Sequence, residues 1–282
     1  YPEEFKCLYM KECSESGRNA LKEKRVITSY LAGKNNGAVI LSEDEGTSVL
    51  LNGEDHVRIQ VLCNGMDIQS CFKKANEIDD YIDAHFDYAF DEKYGYKTTF
   101  PTNTGTGMKA GYTLHLPSLS DARRLNDISA ELGRFGLKFR TVYGDGQNGY
   151  GNLYQISTQK TLGQDEREVI KDLDDIVLQI VNQEKEQREH FYKKDKIQMD
   201  DEIYKSYGVL KYARKLSLKD SMVLISELMT GISLGVLQFA HNGRYNINEL
   251  IMDIQPAVLR QNSGKAMSVA ETDVLRAEYI RK

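Results

Sequence analysis

The sequence predicts an α+β fold: an antiparallel sheet with helices packed on one face, followed by an all-helical C-terminal domain. Three observations predict it. Residues 38–42, 47–52 and 56–63 are short strand-like runs separated by the polar turns Glu43-Asp44-Glu45-Gly46 and Gly53-Glu54-Asp55. Turns this short favour antiparallel neighbours. Residues 67–86 place Ile68, Phe72, Ala75, Ile78, Ile82 and Phe86 on one helical stripe. Beyond Lys196 only helical signals remain.

The other elements follow in order. Residues 112–116 read as a strand. Ser120 is placed to cap a helix with Leu125, Ile128, Leu132 and Phe135 inward, ending at Gly136. Residues 138–143 and 152–157 read as two more strands. A long helix spans 165–194, with Val169, Leu173, Ile176, Val177 and Ile180 inward and a charged run over 184–189. Ser217-Leu218-Lys219-Asp220 has the form of a capping box with Asp in the acidic place. A loop around Gly264 precedes a final helix over 269–281. The expected domains are residues 1–195 and 196–282.

The 282 residues are 40% hydrophobic and 28% charged, enough to bury a large core without metals or disulfides. A net charge of −5 argues against a broad nucleic-acid surface. Cys7, Cys13, Cys63 and Cys71 form no CxxC pair and no zinc pattern, so they are expected as free thiols in a reducing compartment. No apolar run approaches the roughly 18 residues of a membrane helix, and Tyr1-Pro2-Glu3-Glu4 has no leader character. The expected location is the cytoplasm, with no membrane association.

Three segments carry candidate chemistry. In Asn52-Gly53-Glu54-Asp55-His56-Val57-Arg58-Ile59-Gln60, strand alternation puts His56, Arg58 and Gln60 on one face, beside two carboxylates of the turn. Val57, Ile59 and Val61 on the other face are assigned to the core. Phe100-Pro101-Thr102-Asn103-Thr104-Gly105-Thr106-Gly107-Met108-Lys109 is a Gly/Thr-rich loop whose glycines permit close backbone approach to a ligand, with Lys109 as a phosphate partner. Its spacing does not match the GxxxxGK[ST] loop. In Arg140-Thr141-Val142-Tyr143-Gly144-Asp145-Gly146 a strand with Arg140 runs into a loop with Asp145. Each alone is compatible with an ordinary turn or wet sheet face.

Together and in this order they resemble the phosphagen (ATP:guanidino) kinase family, in its bacterial protein arginine kinase branch. Asn-Gly-Glu-Asp-His-Val-Arg is similar to the family's Asn-Glu-Glu-Asp-His-Leu/Ile-Arg. The loop is similar to Cys-Pro-Thr-Asn-x-Gly-Thr-Gly-Leu-Arg, and the third segment to Arg-Gly-x-Tyr-Gly-Glu-Gly. Connecting text fits as well, at Asp87-Tyr88-Ala89-Phe90-Asp91-Glu92, His115-Leu116-Pro117, Thr161-Leu162-Gly163 and Lys205-Ser206-Tyr207-Gly208-Val209-Leu210.

The resemblance implies a guanidino-kinase-like, glutamine-synthetase-like catalytic fold. It implies transfer of the ATP γ-phosphoryl to arginine side chains of proteins, with Mg²⁺ bound through the nucleotide phosphates. It gives Glu54 and Asp145 catalytic roles and makes Arg58, Lys109 and Arg140 nucleotide-binding. Implied partners are ATP, protein arginine substrates, and a partner kinase or protease adaptor; a homodimer through the tail is also implied. Some positions depart from the family. Gly53 stands in place of Glu, Phe100 in place of Cys, Lys109 in place of Arg and Asp145 in place of Glu. The Lys-His-Leu segment is absent near Tyr30, and Thr272 replaces the Arg of a phosphoarginine-recognising Arg-Asp pair ending at Asp273. The small N-terminal domain with its Ser-Ser-Arg-x-Arg motif is expected to be missing. Two functions therefore stand side by side, a protein arginine kinase and a pseudokinase that binds arginine, phosphoarginine or a partner kinase. A free-arginine phosphagen kinase is disfavoured by the bacterial form of the third segment and by the helical tail.

Overall fold

A computed structural model describes residues 5–144, 149–238 and 246–282. Packing divides the chain into two compact units, Tyr1–Ala110 with Thr158–Asp174, and Gly111–Ser157 with Asp175–Lys282.

The first unit begins with β1 (Phe5–Tyr9), α1 (Glu15–Glu23) and α2 (Ser29–Ala32), then β2 (Ala38–Ser42), β3 (Thr47–Leu51) and β4 (Val57–Val61). The strands form an antiparallel sheet in the order β1-β2-β3-β4. Its buried cluster joins Val39, Leu41 and Leu50 to Met10, Val26, Ile27 and Leu31. Leu50 pairs with Arg58 and Ser48 with Gln60. Arg58 and Gln60 therefore share the face that carries this cluster, and Gln60 Nε2 donates to the Arg25 carbonyl at 2.6 Å. The sequence pattern assigns the core to Val57, Ile59 and Val61 instead, and these are only half-buried. The difference arises because α1 and α2, which that pattern does not announce, cover the Leu50 face.

Helix α3 (Ile68–Asp83) packs against β4 and is capped by Asp67, which accepts the Ser70 amide at 3.2 Å. Phe86 lies past its end and is 70% exposed, not on the inward stripe. Cys63 and Cys71 form a disulfide, while Cys7 and Cys13 are free thiols. The turn out of β4 and the first turn of α3 bring the pair together, which spacing alone did not reveal. The short strands β5 (Phe90–Asp91) and β6 (Gly95–Tyr96) form a separate ladder.

The second unit holds β7 (Gly111–His115), α4 (Pro117–Asp121), α5 (Leu125–Arg134), β8 (Leu137–Thr141) and β9 (Leu153–Thr158), with β9 between β7 and β8. Ser120 caps no helix. Pro117, with its preset φ, opens α4, and Arg123 at φ 58° turns the chain before α5. Ile128 and Leu132 are buried as expected, but Phe135 is 62% exposed at the C-cap.

Helices follow to the end: α6 (Glu166–Lys194), α7 (Lys196–Tyr212), α8 (Leu218–Ser233), α9 (Ile247–Asp253), α10 (Pro256–Ser263) and α11 (Val269–Arg281). Leu210, Leu216, Met222, Ile225, Ile251, Ile254 and Ala277 form their core. Ser217 accepts the Asp220 amide, but Asp220 bonds the Ser217 hydroxyl rather than closing a box. A complete capping box forms at Ser268 and Glu271.

The charged run of α6 is not fully solvated. Glu184 is buried, accepting the amides of Ser118 (3.1 Å) and Leu119 (2.9 Å) at the start of α4 and Arg188 Nη2 at 3.0 Å. The antiparallel sheets with packed helices and the helical C-terminal part are as expected from the sequence. No helix among the described residues is long and apolar enough to cross a membrane.

Candidate functional site

Glu54 stands in the turn between β3 and β4. The turn is closed by the Asn52 amide donating to the His56 carbonyl at 2.9 Å, with Asn52 at φ 55°. Glu54 Oε2 accepts the Thr28 hydroxyl at 3.0 Å. The same hydroxyl accepts the Leu31 amide at 3.1 Å as the N-cap of α2. A hydroxyl has one proton to give and lone pairs to receive, so Thr28 serves both partners at once. The helix cap thereby fixes the carboxylate.

The neighbouring Asp55 ties this turn to the second motif. Its Oδ1 accepts the Thr99 amide at 2.7 Å, just before Phe100. From there Pro101–Asn103 makes one 3₁₀ turn. Thr161 anchors the loop: its one hydroxyl proton is shared between the carbonyls of Thr104 (2.7 Å) and Thr102 (3.1 Å). Gly105, at φ 116°, is buried against this strap; a Cβ there would lie 2.2 Å from the Thr161 carbonyl oxygen. Gly105 thus serves close packing of two backbones. Gly107, at φ 64°, is exposed, and a Cβ there would meet only the Tyr96 side chain, at 3.8 Å.

Arg58 is exposed on β4, two residues beyond His56, and Lys109 is exposed at the end of the loop. The first unit therefore gathers Glu54 and Arg58 on one hairpin and links them, through Asp55 and Thr99, to the strand of chain leading into the Phe100–Lys109 segment. In the second unit Arg140 projects from β8 with both Nε (2.7 Å) and Nη2 donating to Gln155 Oε1 on β9. Asp145 lies outside the described residues. Thr28 and Asp55 escaped the sequence reading as positioning groups. The signal was there for Thr28, a Thr directly before the short apolar turn Ser29-Tyr30-Leu31-Ala32.

An open cavity of about 440 Å³ lies beside Gly95, Gly105, Thr161 and Glu166, and none of the motif residues Glu54, Arg58 and Lys109 lines it. Near it Tyr96 donates to Asp79 at 3.3 Å, and burial together with that carboxylate pushes the phenol up to about 12. Burial, with Asp79 and Asp165 nearby, likewise raises Glu166.

In the tail, Asp273 is half-buried and pairs with Arg276. Arg276, 1% exposed, donates to Asp273 Oδ1 at 2.6 Å and to the carbonyls of Leu216 (2.8 Å) and Ile254 (2.9 Å). Thr272 is buried and donates to the Ser268 carbonyl at 2.8 Å.

Residues 1–187 match a family model described as ATP:guanido phosphotransferase, C-terminal catalytic domain. The chain belongs to this family. Residues 196–282 match the model described as protein-arginine kinase McsB C-terminal domain. The chain is 40% identical over 278 residues to a protein-arginine kinase of Bacillus pumilus, covering 99% of this chain and 76% of that one. It is 40% identical over 279 residues to the protein-arginine kinase of Bacillus mycoides, covering 99% and 78%. Among solved structures, lombricine kinase matches with a TM-score of 0.56 at 20% identity, over 64% of this chain and 54% of the other. The duplicated taurocyamine kinase of Schistosoma mansoni matches with a TM-score of 0.57 at 24% identity, over 64% and 26%. These two likenesses show the fold over the 64% of the chain that they cover.

Proposed function

We propose that this chain carries the catalytic lobe and helical tail of a protein arginine kinase, moving the γ-phosphoryl of ATP to arginine side chains of proteins. The observation that carries the reading is the Thr28-held carboxylate of Glu54 within the family's motif. Identity of 40% to proteins named protein-arginine kinase supports the choice of acceptor.

A guanidinium is protonated and delocalised, hence a poor nucleophile. Glu54 orients it and takes the proton as a guanidino nitrogen attacks the γ-phosphorus and ADP leaves. Asp145 holds the rest of the guanidinium. Arg58, Lys109 and Arg140 supply positive charge to the phosphate oxygens, where electrostatic stabilisation of phosphoryl transfer is largest. Among the described residues no group of three or more His, Cys, Asp or Glu is arranged to hold a metal. The cationic set Arg58, Lys109 and Arg140 suits the nucleotide phosphates, and Mg²⁺ arriving on them would neutralise developing phosphate charge.

The finer features belong to the same proposal: residues 1–195 as catalytic domain and 196–282 as a helical domain, cytoplasmic action in a stress response, protein partners of a degradation adaptor kind, and a homodimer through the tail. The two family-model matches support the domain division. No observation favours the binding-only alternative. The test is incubation of the full-length gene product with Mg·ATP and an arginine-rich protein. Acid-labile phosphoarginine is expected; its absence under conditions where ATP binds would overturn the reading.

A further inference from the structure

We propose that Cys63 and Cys71 form a reversible dithiol–disulfide pair, a redox modification site that staples the end of β4 to the first turn of α3. The inference stands apart from the phosphotransfer reading.

The fold builds the encounter. Cys63 lies two residues beyond β4 and is exposed, and Cys71 sits in the first turn of α3 and is half-buried. Between them Gly65, at φ 79°, reverses the chain, and no neighbour crowds it. Asp67 then starts α3 by capping the Ser70 amide, and Ile68, 8% exposed, anchors that turn. The Cα atoms are brought to 6.1 Å, inside the range that a disulfide spans without moving the backbone. On the incoming side, the Leu62 amide donates to the Gly46 carbonyl at 2.7 Å, which holds Cys63 next to the β2–β3 turn. Both arms of the pair are therefore fixed by hydrogen bonds that do not depend on the sulfur atoms.

The remaining thiols are placed otherwise. Cys7 is on β1, the opposite edge of the sheet from β4, and Cys13 packs against the Leu31 cluster. They serve as internal controls in the same unit.

The chemistry needs an oxidant of the small-disulfide class, such as glutathione disulfide. The Cys63 thiolate, the more accessible of the two, attacks one sulfur of the small disulfide. A protein–glutathione mixed disulfide forms and one glutathione thiolate leaves. Cys71, deprotonated, then attacks the Cys63 sulfur, forming the intrachain bond and expelling the second glutathione. Two protein thiols lose two electrons and two protons, and the small disulfide is reduced to two thiols. Excess reduced glutathione or a dithiol runs both steps backward. The bond closes a short ring, and it fastens α3 to the strand that carries Arg58.

The test equilibrates the full chain across a series of glutathione to glutathione disulfide ratios. Remaining thiols are then alkylated and mapped by peptide mass spectrometry. Cys63 and Cys71 are expected to lose alkylation together, in an intrachain linked peptide lighter by two hydrogens, and to regain it on reduction. Cys7 and Cys13 should stay alkylatable where the pair is already oxidised. In Cys71→Ser, Cys63 should accumulate as the mixed disulfide with glutathione, because its resolving partner is gone. Circular dichroism of that variant should match the parent. Independent titration of the two cysteines, a link from either to Cys7 or Cys13, or full alkylation of both across the whole series would each overturn the proposal.

Discussion

The Thr28 hydroxyl donates to Glu54 Oε2 at 3.0 Å while accepting the Leu31 amide at 3.1 Å. One side chain thus caps a helix and orients the proposed base. The arrangement couples the local stability of α2 to the geometry of the site, because losing the hydroxyl removes both bonds.

Replacing Thr28 by Val keeps the volume and deletes the hydroxyl. Loss of the cap should cost about 1 kcal/mol in urea unfolding. Transfer activity should fall by roughly ten- to a hundredfold as the carboxylate loses its fixed orientation. Thr28→Ser retains donor and acceptor and should keep most of both. Equal activity of the Val and Ser variants would separate Thr28 from the chemistry.

Gly105 and Gly107 should respond differently to Ala. At Gly105 the new Cβ meets the Thr161 carbonyl oxygen at 2.2 Å, so the loop must shift. A cost of roughly 1–3 kcal/mol for overpacking is expected, with strain at φ 116° in addition. At Gly107 the surrounding contacts are ordinary and only the left-handed backbone opposes the change, about 1–2 kcal/mol. Thermal unfolding of the two variants, side by side, checks the order.

Arg188→Met should be among the most damaging changes in the helical part. It leaves Glu184, which is 2% exposed, without its cation. Breaking one partner of such a pair costs about 3–5 kcal/mol in general. The two α4 amides that still donate to Glu184 place the expected loss at the lower end. Equilibrium denaturation reads it directly.

Stability should fall on the acid side through His115. Burial and then the Arg188 charge push its imidazole down to about 3 from 6.5. The ring exchanges a hydrogen bond with Ser226 at 2.8 Å, and Ser226 also receives Asn152 at 3.1 Å. Between these two pH values the unfolded chain binds a proton that the folded chain refuses. The associated stability is complete above about pH 6.5 and is lost as pH falls toward 3. His115→Gln should flatten the stability profile over that window, measured by urea midpoints at successive pH values.

Much of this architecture was legible in the sequence. The strands β2, β3 and β4 were readable because tight polar turns punctuate apolar runs, and α3 because its stripe is strongly periodic. The turn bearing Glu54 was readable from motif order. What escaped depended on partners distant in sequence. Ser120 looked like a cap because its spacing suits one, but the fixed φ of Pro117 starts the helix earlier. The charged run over 184–189 gives no sign that Glu184 is buried, because that burial depends on amides of Ser118 and Leu119 far upstream. The double duty of Thr28 required a carboxylate 26 residues away. The pairing of Cys63 with Cys71 required the turn at Gly65, which no CxxC pattern announces.

The central claim is that Glu54 accepts the proton in transfer to arginine. Glu54→Gln tests it most directly, because a Gln carbonyl can still accept from Thr28 while its amide cannot take up a proton. The full-length gene product and this variant would be given Mg·ATP and an arginine-rich protein, and acid-labile phosphoarginine counted. We expect label with the parent and a loss of at least about a hundredfold with Gln, at the lower end for a general base. Equal labelling by both proteins would contradict the account.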